Sequence, residues 1–336
     1  MNICSHKIPN CQYPRVVATS GFSLIEMMVS ITIGLLIVAA LVGVLASNAR
    51  SHKTNDRTAE LQSNGRYALG HLQNKLHHAD YRGYTWQEPN TSALTILNEC
   101  LEAGAVTGSF VNNINQGIWG SNDSNPYAGN CLSSDYSQGD VLVIRQVAGT
   151  ALTSPTLLVN GEIYFRSTFI KGEMFQAGPG DVATIGAPHN SSTETFGTPL
   201  ADFLVQEYVY YIGQGNCEGG GTVNVPALCR LTLRAGEMFK EVVVNGIEQM
   251  QVQYGRTPVG AGTTQYFDAN QITTVAEWED VNSVRIWLLA RNTLPETRYS
   301  NTIEYQMGDT IYGPNDDNFR RQLFTTVVQL RNFRNE

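Results

Sequence analysis

Glu26 is the one charged side chain between Phe22 and Ala46, in the stretch FSLIEMMVSITIGLLIVAALVGVLA. A carboxylate in a hydrocarbon layer costs ~2.5–3.5 kcal/mol at a helix centre unless it is paired or neutralised. The stretch itself offers no cation. A cut between Gly21 and Phe22 would supply one, because every molecule would then begin its helix with a free α-amine. Glu26 of one molecule could meet the Phe22 amine of a neighbour, and at low dielectric that pair would set register between packed helices. If that cut is made, the chemistry these residues suggest is charge pairing between chains, not turnover of a small substrate.

The element that would carry these residues is a helix. Twenty-five residues rise ~37 Å, enough for a ~30 Å hydrocarbon core. A secretory signal has a shorter apolar core with its cleavage site after it; here the best punctuation, Gly21, lies before. The leader holds Lys7 and Arg15 and no acid, so the positive-inside rule places it in the cytoplasm and everything after Ala46 outside. We expect residues 1–21 to be a cytoplasmic leader that is cleaved, 22–46 a transmembrane and assembly helix, and 47–79 its amphipathic continuation. Leu61, Gly65, Ala68, Leu72 and Leu76 recur at spacings of four and three, one face of such a helix. His77 and His78 are adjacent, point about 100° apart on a helix, and read as a solvated helix end.

Six cysteines are present. None forms a CxxC pair and no histidine completes a zinc spacing. The four beyond the apolar segment read as two disulfides in an oxidising compartment. Cys217 and Cys229 flank a short Gly-rich loop and are paired on that ground; Cys100 and Cys131 pair by default. Four buried free thiols are the alternative.

GFSLIE, Gly21 to Glu26, followed by an apolar run, resembles the signal of type IV prepilins and type II secretion pseudopilins. The resemblance implies a prepilin peptidase that cuts after Gly21, N-methylation of Phe22, and a glutamate at the fifth mature position that contacts an assembly partner. It also implies packing with other minor and major pilins through the helix, and retention in the inner membrane before entry into a filament. The chain departs from the pattern in two places. Its 21-residue leader is long, and Gly43 stands near the place where major pilins often carry a helix-breaking proline.

Residues 80–139 are rich in Gly, Asn, Ser and Pro and read as a loop-rich insertion tied by Cys100 and Cys131, with Trp86 and Trp119 as candidate anchors. From 140 to 336 the pattern changes to strands: DVLVIRQV, TLLVNGEIYFRS, FLVQEYVYYIG, CRLTLRAG, FKEVVVNGIEQMQVQYG, NSVRIWLLARN and FRRQLFTTVVQLRN. The segment 172–200 reads as a polar break. The expected fold class is α+β, a long N-terminal helix packed on an antiparallel β head. The order VYYI, LTLR, VVVNGIEQMQVQYG, VNSVRIWLLARN and a last strand ending in LRN is similar to the C-terminal half of PilW-type minor pilins. J-type pseudopilins share much of that order. The resemblance implies a pilin-like head.

Composition narrows the function further. The net charge is −8, which argues against nucleic acid as a partner, since phosphate contacts need clustered cations. The charged fraction is 15%, below the usual ~25%, with Gly and Asn taking up the difference as in a loop-rich β protein. Enzyme signatures are missing: there is no GxxxxGK[ST], GxSxG or HExxH. GQGNCEGGG reads as a hairpin tip. SNDSNPYAGN is rich in oxygen but lacks the EF-hand order, so no metal or cofactor is expected. Asp140, Glu173, Asp202 and Asp268 could form carboxylate pairs only through the fold. PNDDN, 314–318, reads as a turn. The expected role is a minor pilin in a tip or priming complex. The alternatives are a J-like pseudopilin of type II secretion and a pilus-tip adhesin using residues 80–200.

Overall fold

The computed structural model describes residues 21–85, 90–91, 94–101, 106–152, 158–169, 171–178, 201–215, 217, 225–258 and 260–332. The chain divides into two units, residues 1–55 and 56–336. One helix, α1 (Leu24–Leu76), begins in the first and ends in the second. It passes through Gly43 without a break.

Up to Ala46 the helix is apolar around its circumference apart from Glu26 and a few hydroxyls, and every large apolar side chain from Phe22 to Leu45 is exposed. Its length and composition suffice to cross a membrane. In the second unit α1 buries Leu61, Gly65, Ala68, Leu72 and Leu76, the five positions whose spacing marks one helical face. Helix geometry ends at Leu76, and His77 and His78 lie in the turn that follows.

The head is built on two sheets. The first contains β1 (Asn90–Thr91), β2 (Ile118–Ser121), β3 (Gln138–Val147), β4 (Ile163–Ser167), β5 (Gly172–Gln176), β6 (Ala201–Gln214), β7 (Pro226–Arg234) and β8 (Glu237–Asn245). Its path runs β1-β5-β4-β6-β3-β2, with β7 and β8 added beside β6. All of these pairings are antiparallel except the two-residue β1–β5 contact. The second sheet contains β9 (Ile247–Arg256), β10 (Gln265–Asp268), β11 (Val281–Arg291) and β14 (Arg321–Gln329), ordered β10-β9-β11-β14. A hairpin of β12 (Tyr305–Met307) and β13 (Thr310–Tyr312) stands apart. Two short helices, α2 (Ser109–Asn112) and α3 (Val275–Glu279), complete the described residues.

Strand β6 explains the layering. Tyr208, Tyr210 and Ile212 face the core shared with α1 and the second sheet, where they meet Leu72, Leu76, Met250, Val284 and Leu288. Val205, Val209 and Tyr211 face a second core closed by Leu94, Phe110, Ile114 and Leu132. A sheet covered on both faces needs apolar residues at nearly every position, and β3 is buried over all but its first residue.

Three details differ from the sequence expectation. FKEVVVNGIEQMQVQYG is two strands in two sheets: the chain turns at Gly246, φ +81°, where a Cβ would lie 2.9 Å from the Arg291 carbonyl. The supposed break at 172–200 begins with a strand, β5, because Met174 and Phe175 are fully buried; residues 179–200 lie outside the described residues. The stretch 80–139, read as loops, also holds α2 and β2, and β2 pairs with β3.

Candidate functional site

The site begins at the first turn of α1. The Ser23 amide donates to Glu26 Oε2 at 3.0 Å, and the Glu26 amide donates to Ser23 Oγ at 3.2 Å. This is a reciprocal capping box: each side chain satisfies an amide that the helix start leaves without a carbonyl. The carboxylate also sits at the positive end of the helix macrodipole. Ser-x-x-Glu before an apolar run is the sequence signature of such a box. Glu26 thus has a role inside its own chain. Its other oxygen, Oε1, has no partner among the described residues. Gly21 and Phe22 precede the helix outside regular structure, and Phe22 is 84% exposed.

The disulfides are Cys100–Cys131 and Cys217–Cys229. The first ties the insertion together; the second closes the tip between β6 and β7. Of that Gly-rich tip, residues 216 and 218–224 lie outside the described residues, as does Trp86. Trp119, on β2, packs beside Tyr127 and Trp278.

The insertion is fastened to the first sheet by charge. Glu99 accepts from the amides of Gly108 and Phe110, at the start of α2. Arg145 on β3 donates to the carbonyls of Phe110 and Gln116. Glu207 lies opposite Arg145 on β6, Oε2 3.9 Å from Nε, and is fully buried. Burial pushes its carboxyl well above the usual range, against the pull of Arg145.

The four candidate acids do not form a catalytic pair. Asp202 holds Arg166 with two hydrogen bonds of 2.7 and 2.9 Å. Arg166 lies in register between Asp202 on β6 and Glu173 on β5, so those two flank an arginine. Asp140 accepts from the Asp123 and Val252 amides, and burial raises it to about 8. Asp268 accepts from Gln253 and starts a 3-10 turn. Among the described residues no cluster of His, Cys, Asp and Glu suits a metal ion. PNDDN leads into β14, and its Asp317 binds Arg321.

Residues 18–42 match the prokaryotic N-terminal methylation motif, and residues 209–332 match the family described as Type IV Pilus-assembly protein W. The two matches place a stretch similar to PilW behind one similar to the prepilin-type methylation motif. The PilW match runs from the middle of β6 through β14, so it takes in the whole second sheet. The motif match covers the exposed start of α1. Among solved structures, a type IV-like pilin from Thermus thermophilus is 15% identical, over 82% of this chain and 97% of that one, with a TM-score of 0.33. A likeness at that score says nothing of role. No curated protein matches in sequence. The motif match and the long apolar start of α1 support anchoring in a membrane, and the PilW match over residues 209–332 supports a structural role among pilins.

Proposed function

We propose that this PilW-type chain is a minor pilin of the type IV pilus. Prepilin peptidase cuts between Gly21 and Phe22 and methylates the Phe22 amine. The head lies in the periplasm while α1 is held in the inner membrane. On assembly the apolar helix leaves lipid and packs with those of other minor and major pilins, in a tip or priming complex. The observation that carries this reading is the capped, wholly exposed start of α1. Glu26 Oε2 is engaged with its own Ser23 amide, while Oε1 is left for a neighbour's N-terminal amine. An exposed apolar helix face of this extent requires either lipid or other helices.

Substituting Glu26→Ala tests the pairing. Cleavage and methylation should proceed, because the cut bond is intact, and incorporation into filaments should fall at least tenfold on immunoblots of sheared pili. Normal incorporation would contradict the role given to Glu26. The same motif serves the pseudopilins of type II secretion, which supports a second reading with the same processing and different partners. Deletion separates the two: loss of surface pili and twitching supports the pilus, whereas loss of protein secretion with pili intact supports the secretion system.

A further inference from the structure

The two long free sheet edges are protected very differently. β1 has two residues and β2 and β10 four each, whereas β8 and β14 have nine. Exposed edges invite pairing with other chains, and soluble proteins blunt them with charge, bulges or cover. β8 uses all three. Lys240 and Glu241 lie on it, its register with β7 shifts at Leu228/Cys229, and Leu97 pairs with its first residues. β14 uses none of them along its middle. It pairs with β11 over nine successive residues without a shift, and no charged residue lies between Gln322 and Leu330.

The parity of the ladder identifies the open groups. The Leu330 amide donates to the Asn282 carbonyl, and the Asn292 amide donates to the Arg320 carbonyl. Even-numbered residues of β14 therefore face β11, and odd-numbered ones aim their N–H and C=O groups away from the sheet. At the two ends these groups are engaged: Tyr305 Oη donates to the Arg321 carbonyl at 3.5 Å, and His77 Nδ1 lies 3.3 Å from the Gln329 carbonyl. Between them, Leu323, Thr325 and Val327 have no outward partner among the described residues. Thr325 and Val327 are exposed. Three donor–acceptor pairs at two-residue spacing match one ligand chemistry, an extended backbone.

Charge indicates which backbone. Arg320 is paired with Glu296, and Arg321 with Glu248 and Asp317. Arg331, exposed just past the strand, has no carboxylate partner among the described residues. Two copies of this chain joined antiparallel about Thr325 would bring Arg331 opposite Phe319, and about Phe324 opposite Asp317, which Arg321 already holds.

We propose that the β14 edge receives an extended strand from another pilin subunit, uncharged across Leu323–Val327 and carrying a carboxylate where it passes Arg331. This rests on the minor-pilin reading. The test uses the full chain in cells that make its other pilins, with a photo-crosslinking benzoyl-phenylalanine at Gln329. Thr325→Pro removes an outward N–H without losing a ladder bond, and Val327→Lys charges the edge; both should leave the melting temperature unchanged. The expected result is an adduct with a second protein whose own N-terminal peptide begins with N-methyl-Phe, reduced at least tenfold by either substitution. No adduct, an adduct that persists in both variants, or one containing only this chain would overturn the proposal. The N-terminus of this chain is read in the same sample. An unprocessed N-terminus counts against the minor-pilin reading, while the adduct and its loss in the variants still decide the edge.

Discussion

From Leu24 to Leu45 every large apolar side chain of α1 is exposed, whereas from Leu61 to Leu76 one stripe of the same helix is buried in the head. Both halves are regular helix, yet they solve opposite problems. The second half is amphipathic: polar residues such as Gln73 and Lys75 reach Thr326 and Tyr208 at its margins, and the apolar stripe supplies part of the main core. The first half is apolar all round, which suits lipid or a bundle of other helices. The contrast separates stability from assembly within one element. The second half contributes to the head's core, and on the proposed reading the exposed half is kept for partners.

The largest effect should come from the buried half. Leu72 is fully buried among Leu76, Tyr210 and Met250, so Leu72→Ala should cost ~2–5 kcal/mol in denaturant unfolding of the head. A cost below that of an exposed site would break the comparison.

A smaller, pH-dependent effect sharpens it. His71 Nε2 lies 3.0 Å from Tyr210 Oη and 3.4 Å from Arg230 Nη1, with Lys75 one turn on and Glu241 beyond Arg230. Burial first, then Arg230 and Lys75, lower its pKa to about 4, with Glu241 opposing. The unfolded chain, with histidine near 6.5, binds more protons between those values. His71 therefore leaves the head's stability intact above pH ~6.5 and erodes it as pH falls toward 4. Thermal melts from pH 7.5 to 4.5 should show a drop that is shallower in His71→Gln. An equal slope in both proteins would refute the assignment.

The smallest effect is expected at Leu36, which is 71% exposed. Leu36→Ala should change unfolding of the head by less than ~0.5 kcal/mol. A large change would mean that the first half stabilises the head after all.

What the sequence revealed tracks how local each signal is. The five buried helix positions were legible because they repeat within one element. GFSLIE was legible because its six residues are contiguous, and the PilW order because those strands are long and β-branched. β2 was not: IWGS is short, and its reason for being a strand is β3, twenty residues on. Gly120 makes room there for Tyr254, whose Oη would lie 2.0 Å from a Cβ, a constraint no local window contains. The grip of Asp202 on Arg166 and the fastening of α2 by Glu99 and Arg145 are likewise products of the fold. The turn at Gly246 was within reach, since Asn-Gly between apolar runs signals a turn.

On the proposed reading, the exposed half of α1 becomes a mature pilin N-terminus. The most direct test of that reading is intact mass and N-terminal sequencing of the protein from membranes, with and without prepilin peptidase. A chain beginning at N-methyl-Phe22 is expected only when the peptidase is present. An uncut chain in both, or one cut after Ala46, would contradict it.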